Sequence, residues 1–210
     1  MARDYILHKV RTALGRSAGQ PPSQPPAARI SIPEMDLETR IRTFFSSIQS
    51  VSGKTYRAAD SRDARDCVVQ LLGGKTAVAS NSALLAECGI TGISGVFTGF
   101  RSEPELRDAC STAEFGITGA DYALADTGSL VMLSSAQEAR MVSLLPPVHI
   151  ALVEKSRLLS GLDELFTVLP EPAEATSSMV LITGPSRTAD IEQFLIRGVH
   201  GPGELHVVLV

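Results

Sequence analysis

Residues 130–154 read LVMLSSAQEARMVSLLPPVHIALVE. An apolar run, Leu130–Ser134, is followed by a helical stretch, Gln137–Leu144, and a second apolar run, His149–Glu154. Strands that are apolar throughout are buried on both faces, and strands separated by helices pair in parallel. The same alternation extends outward from this stretch. Upstream lie strands at Thr55–Ala58, Thr76–Ser80, Gly95–Thr98 and Phe115–Thr118. Helices fall at residues 35–50, at Ser61–Leu72 with Ser61 as its cap, from Asn81 to Cys88, and at Pro104–Ala113. Downstream come helices at Leu162–Leu169 and Thr188–Arg197, and strands at Met179–Thr183 and Leu205–Val210. The pattern predicts an α/β fold, a three-layer, mainly parallel sheet flanked by helices. Ligands of such sheets bind in loops beyond the carboxyl ends of the strands.

Ahead of this body the pattern changes. Ile6, Val10 and Leu14 share one helical face over residues 3–14, and Gly15 supplies a stop. Residues 16–29 then hold four of the chain's twelve prolines, a composition that is neither helix nor central strand. The division is therefore residues 1–34, a helical arm and proline-rich linker, and residues 35–210, an α/β domain. An isolated helix this short is marginal in water, so the arm reads either as a loose tail or as an element that docks on a neighbour.

Composition narrows the function. The chain has 210 residues, enough for a buried core without a disulfide or metal staple. Its net charge of −4, with no Lys/Arg cluster along the sequence, gives no general reason to seek nucleic acid or an anionic membrane. No apolar run reaches the length of a membrane span. The N-terminus lacks the apolar core of a secretory signal, so a cytoplasmic location is expected. Cys67, Cys88 and Cys110 are too widely spaced for a cluster or zinc motif within this chain.

Three loops carry chemistry. Gly116–Leu130 holds Asp121, Asp126, Thr127, Gly128 and Ser129 among Thr-Gly pairs, where glycines let backbone N–H groups approach an anion; tight turns alone would also explain it. Residues 181–192 run from a strand through Gly184 and Pro185 to Ser186, Arg187, Thr188 and Asp190. Ser186 or Thr188 can cap the following helix, whose free N–H groups form an anion site. Gly198–Gly203 places His200 among small residues as a candidate acid, base or anion binder. Arg140 is the first candidate countercharge, with Arg187 second. His149 reads instead as a satisfied, partly buried histidine.

As an ordered set, DTGSLVM (126–132), the Arg140 region with SLLPPVHIALV (143–153), GPSRTADIE (184–192) and GVHGP (198–202) closely resemble the lactate-utilisation (LUD) domain. The closest resemblance is to the lactate utilisation protein C, or YkgG, branch, and it covers roughly Met35 to Val210. It implies a fold similar to the NagB/RpiA/CoA-transferase-like group. It also implies a part in oxidising L-lactate to pyruvate as a non-cluster subunit beside iron–sulfur partner proteins. No cofactor is then expected on this chain, and the clusters are expected on the partners. The resemblance assigns no catalytic residue. The candidate substrate-binding residues are Asp121, Thr127, Gly128, Ser129, Arg140, Gly184, Pro185, Ser186, Arg187, Thr188, Asp190 and His200, around a small carboxylate. Two other readings stand beside this one: a self-sufficient isomerase- or transferase-like enzyme on a small anionic substrate, and a structural module without a ligand.

Overall fold

The apolar runs at the centre of the main sheet are covered on both sides. The computed structural model describes residues 2–17, 19, 31–188 and 196–210. The chain falls into two units, Met1–Ser31 and Ile32–Val210. In the first, helix α1 (Ala2–Ala13) leaves Tyr5, Ile6 and Val10 exposed.

The second unit opens with helix α2 (Leu37–Ser50), strand β1 (Lys54–Arg57) and helix α3 (Ser61–Leu72). Strand β2 (Ala77–Ala79), helix α4 (Ala83–Glu87), β3 (Val96–Phe97), α5 (Glu103–Thr112) and β4 (Phe115–Gly119) follow. Next come β5 (Tyr122–Leu124), β6 (Ser129–Leu133), α6 (Arg140–Leu144) and β7 (Val148–Val153). The remainder holds β8 (Leu158–Leu159), α7 (Leu162–Val168), α8 (Pro172–Ala175), β9 (Met179–Ile182), β10 (Arg187–Thr188), β11 (Ile196–Arg197) and β12 (Glu204–Leu209).

Six strands form one sheet in the order β1-β12-β7-β4-β2-β3, and every neighbouring pair is parallel. Alternate residues face opposite layers. Ala77, Ala79, Ile117, Ile150, Leu152 and Val208 pack with Ala64, Val68 and Leu72 of α3 and Leu85 of α4. On the other side, Ala151, Val153, Val207 and Leu209 meet Ile41, Phe44 and Ile48 of α2. Val78 packs there with Cys110 of α5 and Val142 of α6. Asp36 caps α2 by accepting the Thr39 N–H at 2.8 Å. For α3 the cap is Asp60 rather than Ser61, since the Asp60 carboxylate accepts the Asp63 N–H.

Two expectations change. Leu130–Ser134 and Met179–Thr183 do not join the parallel sheet. They supply β6 and β9 of a separate four-stranded sheet ordered β8-β5-β6-β9. The cause is the short turn through Thr127 and Gly128 (φ 68°), which reverses the chain so that β6 pairs antiparallel with β5; a parallel partner would need a long crossover. The helix expected over Thr188–Arg197 is also not formed at either end, because Arg187–Thr188 and Ile196–Arg197 pair as an antiparallel ribbon. Residues 189–195 between them lie outside the described residues. Among the described residues no helix is long and apolar enough to cross a membrane.

The sheet order positions the site. From β2 the chain moves outward to β3, whereas from β4 it moves the opposite way, through β7 to β12. Adjacent strands whose connections depart in opposite directions leave a crevice at their carboxyl ends, the usual ligand position in open α/β sheets.

Candidate functional site

At that crevice β2 ends in Ser80, Asn81 and Ser82, and β4 ends in Gly119, Ala120 and Asp121. The loop from β6 to α6 folds across both. Ser135 Oγ accepts the N–H groups of Gln137 (3.2 Å) and Glu138 (3.0 Å), and the Asn81 N–H donates to the Gln137 carbonyl at 2.9 Å. Glu138 is thereby turned inward. Its Oε1 accepts from Ser80 Oγ at 2.8 Å and from the Gly119 N–H at 2.9 Å. Its Oε2 is buried and has no hydrogen-bond partner among the described residues. A side chain at position 119 would not fit, since a Cβ there would lie 2.4 Å from Ser82 Oγ and 3.0 Å from Glu138 Oε1.

Ser82, Gly119 and Glu138 border a cavity of about 310 Å³, together with Asp121, Tyr122, Glu154 and Arg157. Burial pushes the Glu138 carboxyl up to about 7, against the pull of its bonds from Ser80 and Gly119 and of the nearby Ser82 hydroxyl, and the Asp121 charge adds to the rise. Burial also raises Asp121, opposed by the Leu133 N–H that its Oδ2 accepts at 2.7 Å and by the Arg157 charge. The Arg157 guanidinium stands 5.5 Å from the centre of the Tyr122 ring and is exposed at the cavity rim. A carboxyl poised near neutrality can both accept and return a proton; the rim cation, which lies 3.9 Å from the partly exposed Glu154 carboxylate, would have to turn from Glu154 to meet an anionic ligand.

A second cavity, of about 230 Å³, joins the loop after β9 to the loop before β12. Thr183, Gly184, Pro185, Ser186, His200 and Pro202 line it. The Ser186 N–H donates to the Pro202 carbonyl at 2.8 Å, and the Gly198 N–H donates to the Ser186 carbonyl at 3.1 Å. Ser143 and Leu144 before β7, and His200 before β12, put this cavity at the amino ends of those strands, opposite the crevice. His149 also borders it, bonded to Thr118 Oγ1 at 2.8 Å and fully buried, and burial lowers its imidazole to about 4.

The structure divides the sequence-derived candidates. Asp121 is in the crevice cavity. Thr127, Gly128 and Ser129 form the far end of the β5–β6 hairpin, where Gly128 abuts α2 and Ser129 Oγ meets Thr183 Oγ1 at 2.6 Å. Gly184, Pro185, Ser186 and His200 meet at the second cavity. Arg187 donates to the Val51 carbonyl and Thr188 sits in the ribbon, so neither opens a helix. Asp190 lies outside the described residues. Arg140 is exposed and donates to Ser178 Oγ at 3.3 Å. Asp121 and Ser129 part because a hairpin, not one loop, lies between them. His200 sits at the opposite edge because its loop enters a strand instead of leaving one. Glu138 was not among the candidates. Its one sequence signal, Ser135 three residues ahead of it, resembles a helix capping box, in which the glutamate would face solvent.

The LUD domain family matches residues 41–210, which include all six strands of the parallel sheet. The chain belongs to the LUD domain family. It is similar to lactate utilization protein C of Anoxybacillus flavithermus, at 29% identity over 177 residues, covering 82% of this chain and 76% of that protein. It is similar to the uncharacterized protein YkgG of Escherichia coli (strain K12), at 28% identity over 217 residues, covering 95% and 94%. The alignments with two further proteins named lactate utilization protein C run over about half of their length. A DUF162 family protein from Deinococcus radiodurans shares the fold, with a TM-score of 0.65 at 19% identity over 84% of this chain and 99% of that one.

Proposed function

We propose that this chain is the cluster-free component of a lactate-utilisation system, acting in the cytoplasm with iron–sulfur partner proteins to oxidise L-lactate to pyruvate. In this reading the crevice cavity receives the small 2-hydroxy acid. The observation that carries it is the inward carboxyl of Glu138, with one oxygen anchored by Ser80 and Gly119 and the other buried without a partner in a cavity rimmed by Arg157. Arg157 would meet the substrate carboxylate, and Glu138 would take the hydroxyl proton. The C–H bond of the alcohol carbon must also break, and its hydrogen leaves as a hydride equivalent, two electrons with one proton, to an acceptor that the reading assigns to the partners. The names of the relatives support the substrate. The scattered thiols support clusters held elsewhere: Cys67 is on α3, Cys88 follows α4, Cys110 is on α5, and burial raises all three.

A stand-alone isomerase- or transferase-like activity on a small anion would draw on the same carboxyl, since moving a proton needs no redox partner. The test is lactate oxidation by the chain mixed with its partners. Glu138→Gln should lower turnover by about a hundredfold or more, and Arg157→Gln should chiefly raise KM. Full turnover by Glu138→Gln would overturn the reading. Turnover of a small anion by the chain alone would favour the second activity. Loss of lactate binding in His200→Ala, with binding kept in Glu138→Gln, would move the site to the second cavity with Ser186.

A further inference from the structure

Beside the crevice, the start of α5 and the loop after β6 border an open basin of about 560 Å³. Arg101, Arg107 and Arg140 line it, with the hydroxyl residues Ser102, Ser134 and Ser135. Arg101 and Arg107 are six positions apart and Arg140 lies 33 further on, so no basic run announces them. Arg107 is held by Glu103 at 2.8 Å. Arg140 reaches only a neutral hydroxyl, and the Arg101 guanidinium has no carboxylate partner among the described residues, although the Arg101 backbone N–H donates to Glu105 at 2.9 Å. With three guanidinium groups and Glu103 at its border, the basin is locally cationic on a chain of net charge −4.

We propose that this basin is a binding site for a phosphoryl anion. A guanidinium presents a planar fork of N–H donors that matches phosphate oxygens. Two such forks without carboxylate partners, plus serine hydroxyls, offer more donors than the oxygens of a single carboxylate accept. A phosphate chain supplies the further acceptors. Ser135 Oγ already accepts two backbone N–H groups, and its O–H proton is available to donate. A small cavity shares Leu133 and Glu138 with the crevice cavity, and Ser134 and Arg140 with the basin. A phosphorylated ligand anchored here would therefore be held beside Glu138. This inference does not depend on lactate being the substrate in the crevice.

The test is calorimetric titration of the full chain with inorganic pyrophosphate at low salt, with tricarballylate as a carboxylate of comparable charge. Saturable pyrophosphate binding is expected, tighter than that of tricarballylate. Arg101→Gln and Arg140→Gln should each weaken it by about tenfold or more. Arg65→Gln, on α3 across the sheet, should leave it unchanged, and thermal melts verify that each variant is folded. Absence of saturable pyrophosphate binding would overturn the proposal. So would equal binding of the two anions, or an equal loss in Arg65→Gln, which would reflect net charge alone.

Discussion

Replacing Glu138 with glutamine should make the protein more stable above neutral pH and leave it nearly unchanged in mild acid. The folded chain holds the Glu138 proton to about pH 7, whereas a carboxyl with the ordinary value of 4.5 releases it earlier in the unfolded chain. Between those values the unfolded state binds fewer protons, so stability falls as pH rises. The contribution is fully present below 4.5 and is lost as pH passes through 7. A shift of that size corresponds to about 3 kcal/mol. Glutamine keeps an oxygen for Ser80 Oγ and the Gly119 N–H and never ionises, so the variant escapes the loss. Urea unfolding of both proteins at pH 5 and pH 8 isolates the effect, because the other titrating groups largely cancel in the difference. The gap between variant and wild type should widen by about 2–3 kcal/mol from the lower to the higher pH. A gap that does not change with pH would refute the claim that a buried, ionising carboxyl sits in the crevice.

Gly119→Ala should cost about 1–3 kcal/mol in denaturant titrations and reduce activity, because the new methyl displaces Ser82 and Glu138; unchanged values of both would mean the crevice is looser than described. His149 should remain neutral to well below its ordinary 6.5, since its value is lowered to about 4. Its contribution to stability is present above 6.5 and lost as pH falls through 4, and imidazole NMR signals of a neutral ring at about pH 5 check this. Deleting residues 1–26 should leave the melting temperature of the remaining chain nearly unchanged while weakening assembly with partners in size-exclusion runs; a large fall in melting temperature would mean that the arm supports the fold.

Much of the parallel sheet was legible because burial on both faces leaves a local mark. His149–Glu154 and Leu205–Val210 are apolar almost throughout, and both are central strands. The β10–β11 ribbon left no such mark, since two-residue strands are too short to show a period. The crevice was half legible. Asp121 stood out among glycines after an apolar strand. Glu138 did not, because its inward turn depends on Ser80, 58 positions away, and Gly119, 19 positions away. Nothing in SSAQEAR distinguishes it from a solvated loop glutamate. The rule that ligands lie beyond strand carboxyl ends points to the crevice. It does not extend to His200, whose loop leads into a strand and borders the second cavity.

The central claim is that Glu138 is the proton-handling group of a small-carboxylate site. Its most direct test is a carbon-13 NMR titration of the Glu138 carboxyl, assigned by comparison with Glu138→Gln, with and without L-lactate. The account predicts a midpoint near 7 that moves when lactate is added. An ordinary midpoint near 4.5 that does not respond to lactate would contradict it.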